Sequence, residues 1–256
     1  RRFVRRVVLA DPRGFAAIRG KPVLYLGNHQ TGVESFLFLI IIVSLGQTPA
    51  GAIAKSEHRN SWVGLIHRLA SLVMGDSNPL RILLFDRAKQ SDLLDLLRDL
   101  GASQPHQPCS LLVHTDGTRA LSAGAPVQAV SSVLIDFALA HDLPIVPVRF
   151  TGGLGQQESS VKLEFPHELG QQDYYLGKAI HPETLRVLPY AHRAAAVIKR
   201  INSLGPTGVA DIPLSGNSNF KRMVAAARSQ GKNEVQAVLS SVLAEYPQKS
   251  EQTKRL

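Results

Sequence analysis

Short apolar runs at residues 23–26, 53–54, 80–85, 110–113 and 145–150 alternate with segments whose apolar residues recur at helical spacing. This alternation is the strongest constraint on the fold. Consecutive strands separated by helices are joined by crossovers, and crossovers build parallel sheets. The expected architecture is therefore an α/β fold: a central, largely parallel sheet flanked by helices, with chemistry on the loops at strand ends. A chain of 256 residues suits one such domain with an appendage.

The remaining segments refine this outline. Residues 1–8, RRFVRRVV, read as a basic amphipathic helix lying on a membrane or partner, or as a plain solvated helix end. Trp62, Leu65, Ile66, Leu69 and Val73 place a helix over 61–74. A second helix is expected over 90–100, with Ser91 at its start and Gly101 as its stop. Residues 130–140 and 191–204 also read as helices, and 161–165 and 174–176 as edge strands. The main domain is expected over 1–205, a linker over 206–220, a helical segment over 221–246 and a disordered tail over 247–256.

Composition then narrows the function. With 44% hydrophobic and 19% charged residues, disordered, collagenous and disulfide-framework proteins are excluded. The 29 Lys and Arg against 20 Asp and Glu give +9, which attracts phosphate in nucleic acid, lipid headgroups or a small molecule. The basic residues lack the aromatic interleaving of a single-strand binder, so no nucleic-acid partner is expected. No serine-hydrolase elbow, phosphate-binding P-loop or zincin motif occurs. The single Cys109 offers neither a disulfide nor a Cys-based zinc site, so no metal and a reducing, cytoplasmic location are expected. The most apolar stretch, 36–43, is too short to span a bilayer; it suits a buried helix or peripheral membrane contact equally well. The first residue is Arg and no export pattern follows, so the sequence reads as a piece of a longer protein.

Two blocks carry candidate chemistry. Asn28-His29-Gln30-Thr31-Gly32-Val33-Glu34 follows the first strand directly. With His29 in the turn and Glu34 in the first helical turns, the carboxylate can fix the imidazole tautomer and leave one ring nitrogen to take a proton. Thr31-x-x-Glu34 also fits a capping box, in which Glu34 merely bonds back to the Thr31 amide. The second block, His114-Thr115-Asp116-Gly117-Thr118-Arg119, follows another strand. It is either a plain Asp-Gly turn or a phosphate cradle of turn amides, a Thr hydroxyl and an Arg fork. In 145–150, Pro147 is expected to confine its strand to an edge or a bulge.

Taken in order, these blocks resemble the glycerolipid acyltransferase family, which contains 1-acylglycerol-3-phosphate acyltransferases. Asn28, His29 and Glu34 match that family's Asn-His-x-x-x-x-Asp block, with Glu for Asp. Arg87 in Phe85-Asp86-Arg87 resembles its second block, and Asp116-Gly117-Thr118-Arg119 its Phe-Pro-Glu-Gly-Thr-Arg block. Val146-Pro147-Val148 matches the fourth, so the resemblance covers about residues 20–185. It implies direct acyl transfer from a thioester, acyl-CoA or acyl carrier protein, to the hydroxyl of a lysophosphatidate-like acceptor. His29 would be the base and Glu34 its partner. Lys55, Arg87, Asp116, Gly117, Thr118, Arg119 and Pro147 would form the substrate site, with Gly117-turn amides steadying the oxyanion.

Family members also occur as domains of multidomain lipid and polyunsaturated fatty acid synthases, where the donor is a tethered carrier. The departures matter. Glu34 is one methylene longer than Asp, and His114-Thr115 replace Phe-Pro. The alternative expectation is a non-catalytic lipid-binding or docking module that keeps the fold.

Overall fold

The computed structural model describes residues 2–89, 91–206, 211 and 213–245. Its strands are β1 (Val4–Leu9), β2 (Leu24–Gly27), β3 (Ala50–Lys55), β4 (Leu80–Phe85), β5 (Ser110–His114), β6 (Ile145–Thr151) and β7 (Gln172–Leu176). Between and after them run α1 (Pro12–Ala17), α2 (Gly32–Gly46), α3 (Trp62–Met74), α4 (Asp92–Ser103), α5 (Ser132–Ala140), α6 (Pro182–Arg186), α7 (Tyr190–Asn202), α8 (Ser218–Ser229) and α9 (Glu234–Glu245). The strands form one sheet in the order β1-β7-β6-β2-β5-β3-β4. Strands β6, β2, β5, β3 and β4 are parallel, whereas β7 runs antiparallel to β6 and β1 parallel to β7.

Alternation along the inner strands divides the core into two layers, because successive side chains leave a strand on opposite faces. Leu24, Leu26, Leu111 and Ile145 meet Leu97 and Leu100 of α4, Leu134 and Ile135 of α5, and Val197 and Ile201 of α7. Tyr25, Leu112, Val146 and Val148 meet Phe15 of α1 and Phe38, Leu39 and Ile42 of α2 on the other face. The apolar stretch 36–43 therefore folds as part of α2, with Phe38 and Ile42 fully buried. Each such side chain contributes ~1.5–3 kcal/mol by leaving water.

Several sequence expectations are corrected. Residues 4–9 form edge strand β1 rather than a helix, because Phe3 enters a third core with Phe165 and Phe220 and both arginines find Asp173. Arg5 Nε donates to Asp173 Oδ1 at 2.7 Å, and Arg6 Nε to Oδ2 at 3.1 Å. Residues 161–165 are not a strand. The Leu163 and Glu164 carbonyls instead accept the N–H groups of Gly32 and Val33 at 3.0 and 2.9 Å, supplying partners for free donors at the start of α2.

Gly101 does not stop α4, which continues to Ser103. A Cβ at this position would meet the His141 ring at 2.2 Å, so the glycine serves close packing. Pro147 lies in an inner strand, paired on both sides. Its carbonyl accepts Gly177 N–H at 2.8 Å just past the end of β7. A strand residue's N–H and C=O face the same neighbour, so the missing donor falls where that ladder ends.

The expected linker loses its last residues to α8, which begins at Ser218; residues 207–210 and 212, and the expected tail, lie outside the described residues. Helices α8 and α9 pack Phe220, Val224, Ala237 and Val238 against Phe3, Val33 and Phe165.

Helix α3 is reversed in polarity. Leu65, Leu69, Leu72 and Val73 recur at i, i+4, i+7 and i+8 and face outward, Leu72 being 81% and Val73 87% exposed.

Candidate active site

The turn from β2 to α2 is held by its own first residue. Asn28 Nδ2 donates to the Phe150 carbonyl at 2.9 Å, and its Oδ1 accepts Phe150 N–H at 2.7 Å. This clamp fixes the turn to β6 and leaves His29 facing Glu34 across the start of α2. His29 Nδ1 lies 2.6 Å from Glu34 Oε1. Oε1 also accepts Gln30 N–H at 2.6 Å, and Oε2 accepts Gln172 Nε2 at 3.1 Å. Donors therefore occupy both oxygens, so Nδ1 donates and Nε2 keeps the lone pair.

The capping alternative is half realised. Glu34 does reach back to the backbone, but the Thr31 hydroxyl donates to Gln172 Oε1 at 3.2 Å instead of capping the helix. The longer Glu side chain thus serves the helix start and the imidazole together.

Burial sets the charge states. Burial, reinforced by positive charge on Arg119, His58 and Lys162 and opposed by Glu164, pushes the His29 imidazole down to about 3. Burial likewise raises the Glu34 carboxyl, while His114, Gln172 and the Gln30 and Thr31 amides hold it back. His29 is therefore a neutral base at neutral pH.

A second imidazole lies directly against it. The His29 and His114 rings stack with centroids 3.7 Å apart and planes 12° from parallel. His114 Nδ1 is 2.7 Å from the Asn28 carbonyl, and Nε2 is 2.7 Å from Ser35 Oγ. His29, Glu34 and His114 are close enough to be considered as metal ligands. The geometry does not suit one: stacked rings direct their nitrogens side by side rather than at one point, and Nδ1 and Oε1 already share a hydrogen bond.

The other sequence candidates spread along the same edge of the sheet. Lys55 closes β3 and Arg87 follows β4, two and three strands from β2. At ~4.8 Å per strand, Arg87 lies roughly 14 Å along the rim. Neither side chain has a hydrogen bond or ion pair among the described residues.

Arg119 is nearer and already engaged. Its Nη1 donates to the Leu163 carbonyl at 2.6 Å and to Glu164 Oε1 at 2.8 Å, while Trp62 Nε1 holds Glu164 Oε2 at 2.9 Å. Gly32 makes room for this pair, since a Cβ there would meet Glu164 Oε2 at 2.2 Å. Asp116 is exposed and its Oδ1 accepts Gln128 N–H at 3.3 Å; Thr118 is exposed beside it. The Gly117 amide donates to the His114 carbonyl at 3.1 Å, so it is not free for the expected oxyanion role. Pro147 is buried within the sheet, upstream of Phe150.

Sequence reasoning missed Gln172, Ser35 and Asp211. Gln172 starts β7, and only the antiparallel course of that strand brings it to this edge. Asp211 accepts Gln30 Nε2 at 2.7 Å and Gly124 N–H at 2.8 Å. Two cavities of about 370 and 390 Å³ lie elsewhere, bordered by Glu168 and Lys221.

No family model matches the chain. Among curated proteins it is similar to a probable 1-acyl-sn-glycerol-3-phosphate acyltransferase of Mycoplasma pneumoniae, 28% identical over 163 residues. The alignment covers 62% of this chain and 54% of the relative, so the chain spans about half the length of the curated protein it matches. The likeness supports the resemblance to the glycerolipid acyltransferase family.

Proposed function

We propose that the chain is an O-acyltransferase that moves a fatty acyl group from a thioester, acyl-CoA or acyl carrier protein, to the hydroxyl of a lysophosphatidate-like acceptor. The observation that carries this reading is the 2.6 Å contact between His29 Nδ1 and Glu34 Oε1, with Nε2 left to accept the acceptor's proton. Glu34 orients the ring and balances the positive charge that develops on it. The relative's similarity supports the reaction class.

In the same proposal Arg119 offers its Nε and Nη2 donors to the acceptor phosphate, with Lys55 and Arg87 further along the rim as mobile counter-charges. The Asp116–Thr118 turn borders that phosphate. Pro147 acts from behind, through the β6 backbone that Asn28 grips. The test is incubation with lysophosphatidate and a panel of thioesters, with products identified by mass spectrometry. Phosphatidate is the expected product, and a full panel without product would refute the assignment.

The acceptor in this reading is a lipid, and α3 supplies a surface for the membrane that holds it. No helix among the described residues is long and apolar enough to cross a membrane. The outward Leu65, Leu69, Leu72 and Val73, with Arg59 and Arg68 beside them, suit a peripheral contact with an anionic lipid surface on the cytoplasmic side. Sedimentation with phosphatidylglycerol vesicles tests this. The Leu72→Glu/Val73→Glu double variant should lose vesicle binding while keeping its circular dichroism spectrum, and undiminished binding would refute the contact.

A further inference from the structure

Arg119 and Glu164 are both tied to the turn that carries His29. The Ala120 amide donates to the His29 carbonyl at 2.7 Å, and the Leu163 and Glu164 carbonyls accept the Gly32 and Val33 amides at the start of α2. The ion pair lies over Gly32, where a Cβ would meet Glu164 Oε2 at 2.2 Å and Arg119 Nη1 at 3.1 Å. The Arg119 side chain is only 14% exposed, so its neighbours rather than solvent set its direction.

Those neighbours use up one corner of the guanidinium. Nη1 carries two hydrogens, and its contacts of 2.6 Å to the Leu163 carbonyl and 2.8 Å to Glu164 Oε1 take both. Nε and Nη2 have no hydrogen bond among the described residues, and together they form the edge that can meet two phosphate oxygens in parallel. Trp62, the chain's one tryptophan, donates from Nε1 to the second Glu164 oxygen at 2.9 Å, and its ring stacks on Phe165 with centroids 5.6 Å apart. Trp62 is also the first residue of α3, the helix with the outward leucines.

We propose that Glu164 and Trp62 are positioning residues that select a phosphate-bearing acceptor: Glu164 turns the open edge of Arg119 toward the phosphate, and Trp62 makes that aim depend on how α3 is seated. This rests on the acyl-transfer reading and names what sets its acceptor specificity. Neither residue touches the reacting atoms. Both halves of the ion pair hang from the turn that holds the base, so a phosphate on Arg119 keeps a fixed offset from His29. The lipid-facing helix reaches that grip through one indole hydrogen bond.

The experiment uses the full chain and reads binding apart from turnover. Without thioester, lysophosphatidate should change Trp62 emission saturably, and a monoacylglycerol of the same chain length should not. The response should vanish in Arg119→Ala, which loses the grip, and in Glu164→Ala, which loses the link. With thioester, Glu164→Ala should raise KM for lysophosphatidate by about 10-fold at nearly unchanged kcat, and leave monoacylglycerol acylation unaffected. Glu164→Gln keeps an acceptor for one of the two donors, and Trp62→Phe keeps a ring without the N–H; each should raise KM by about 3-fold. In an Arg119→Ala background, Glu164→Ala should add less than about 2-fold, because the carboxylate then has nothing to aim. Emission that lysophosphatidate leaves unmoved, a KM unchanged or lowered in Glu164→Ala, or effects that multiply in the double variant would overturn the proposal and leave acyl transfer by His29 standing. An emission response that needs Arg119 and Glu164, in a chain that acylates no acceptor, would instead support the phosphate grip and overturn the acyl-transfer reading.

Discussion

The acid–base corner at β2 and β5 and the cationic rim at β3 and β4 share one edge of the sheet but are built in opposite ways. At the corner, Glu34 is wholly buried and both its oxygens are taken, while the imidazoles are stacked and their tautomers fixed. At the rim, Arg87 is exposed, and neither its side chain nor that of Lys55 has a hydrogen-bonding partner among the described residues. The contrast separates two physical demands. A base must be neutral and aimed, which burial and a dense hydrogen-bond network provide; a phosphate grip must stay charged and adaptable, which solvent provides.

If that division holds, substitutions at the corner should strike turnover and those at the rim should strike acceptor binding. The largest effect is expected for His29→Ala, a loss of ~100-fold or more in kcat for lysophosphatidate acylation. A non-catalytic lipid-binding module would have no turnover to lose and would keep its affinity for the lipid. Next comes Glu34→Gln, which keeps size but removes the charge that balances imidazolium. We expect a drop of about 10- to 100-fold in kcat with little change in KM, measured on the same substrate.

The buried imidazoles also make stability depend on pH. His29 and His114 are pushed below 6.5 in the folded state, so the unfolded chain binds their protons first. Their contribution is complete above about 6.5 and is lost as pH falls toward 3, at ~1.4 kcal/mol per pH unit for each imidazole. Glu34, raised by burial, works in the opposite sense above its ordinary value. Urea midpoints between pH 7 and 4.5 should therefore fall with acid, less steeply in His114→Asn and more steeply in Glu34→Gln. A slope unchanged by His114→Asn would show that this ring is not held neutral.

The smallest effects belong to the rim. Lys55→Ala and Arg87→Ala should each raise KM for lysophosphatidate by about 3- to 10-fold, with kcat kept and the defect shrinking at high salt. A monoacylglycerol lacking phosphate should not sense either change. Equal losses on both acceptors would move these cations out of phosphate binding.

How much of the site could be read from the chain follows from how far apart its parts lie. His29 and Glu34 belong to one strand–turn–helix unit, and six residues of local geometry suffice to bring them together. Arg119 was legible as a cation, but its engagement with Glu164 depended on residues 161–165 abandoning the expected strand to meet the α2 amides. Gly101 looked like a helix stop because the His141 ring that requires it is distant in sequence.

The sequence by itself determined the α/β alternation, the two-faced inner strands and the pairing of an imidazole with a nearby carboxylate, because periodicity and turn chemistry act over a few residues. Only the tertiary structure decided strand order and direction. It therefore decided that antiparallel β7 delivers Gln172 to Glu34, that β5 lays His114 against His29, and that Ser35 meets that second ring. Those contacts join segments 79 to 138 residues apart in the case of Ser35 with His114 and Glu34 with Gln172. The physical reason is that pairing between strands is selected by the burial of whole faces, a sum over the entire sheet that no local pattern contains.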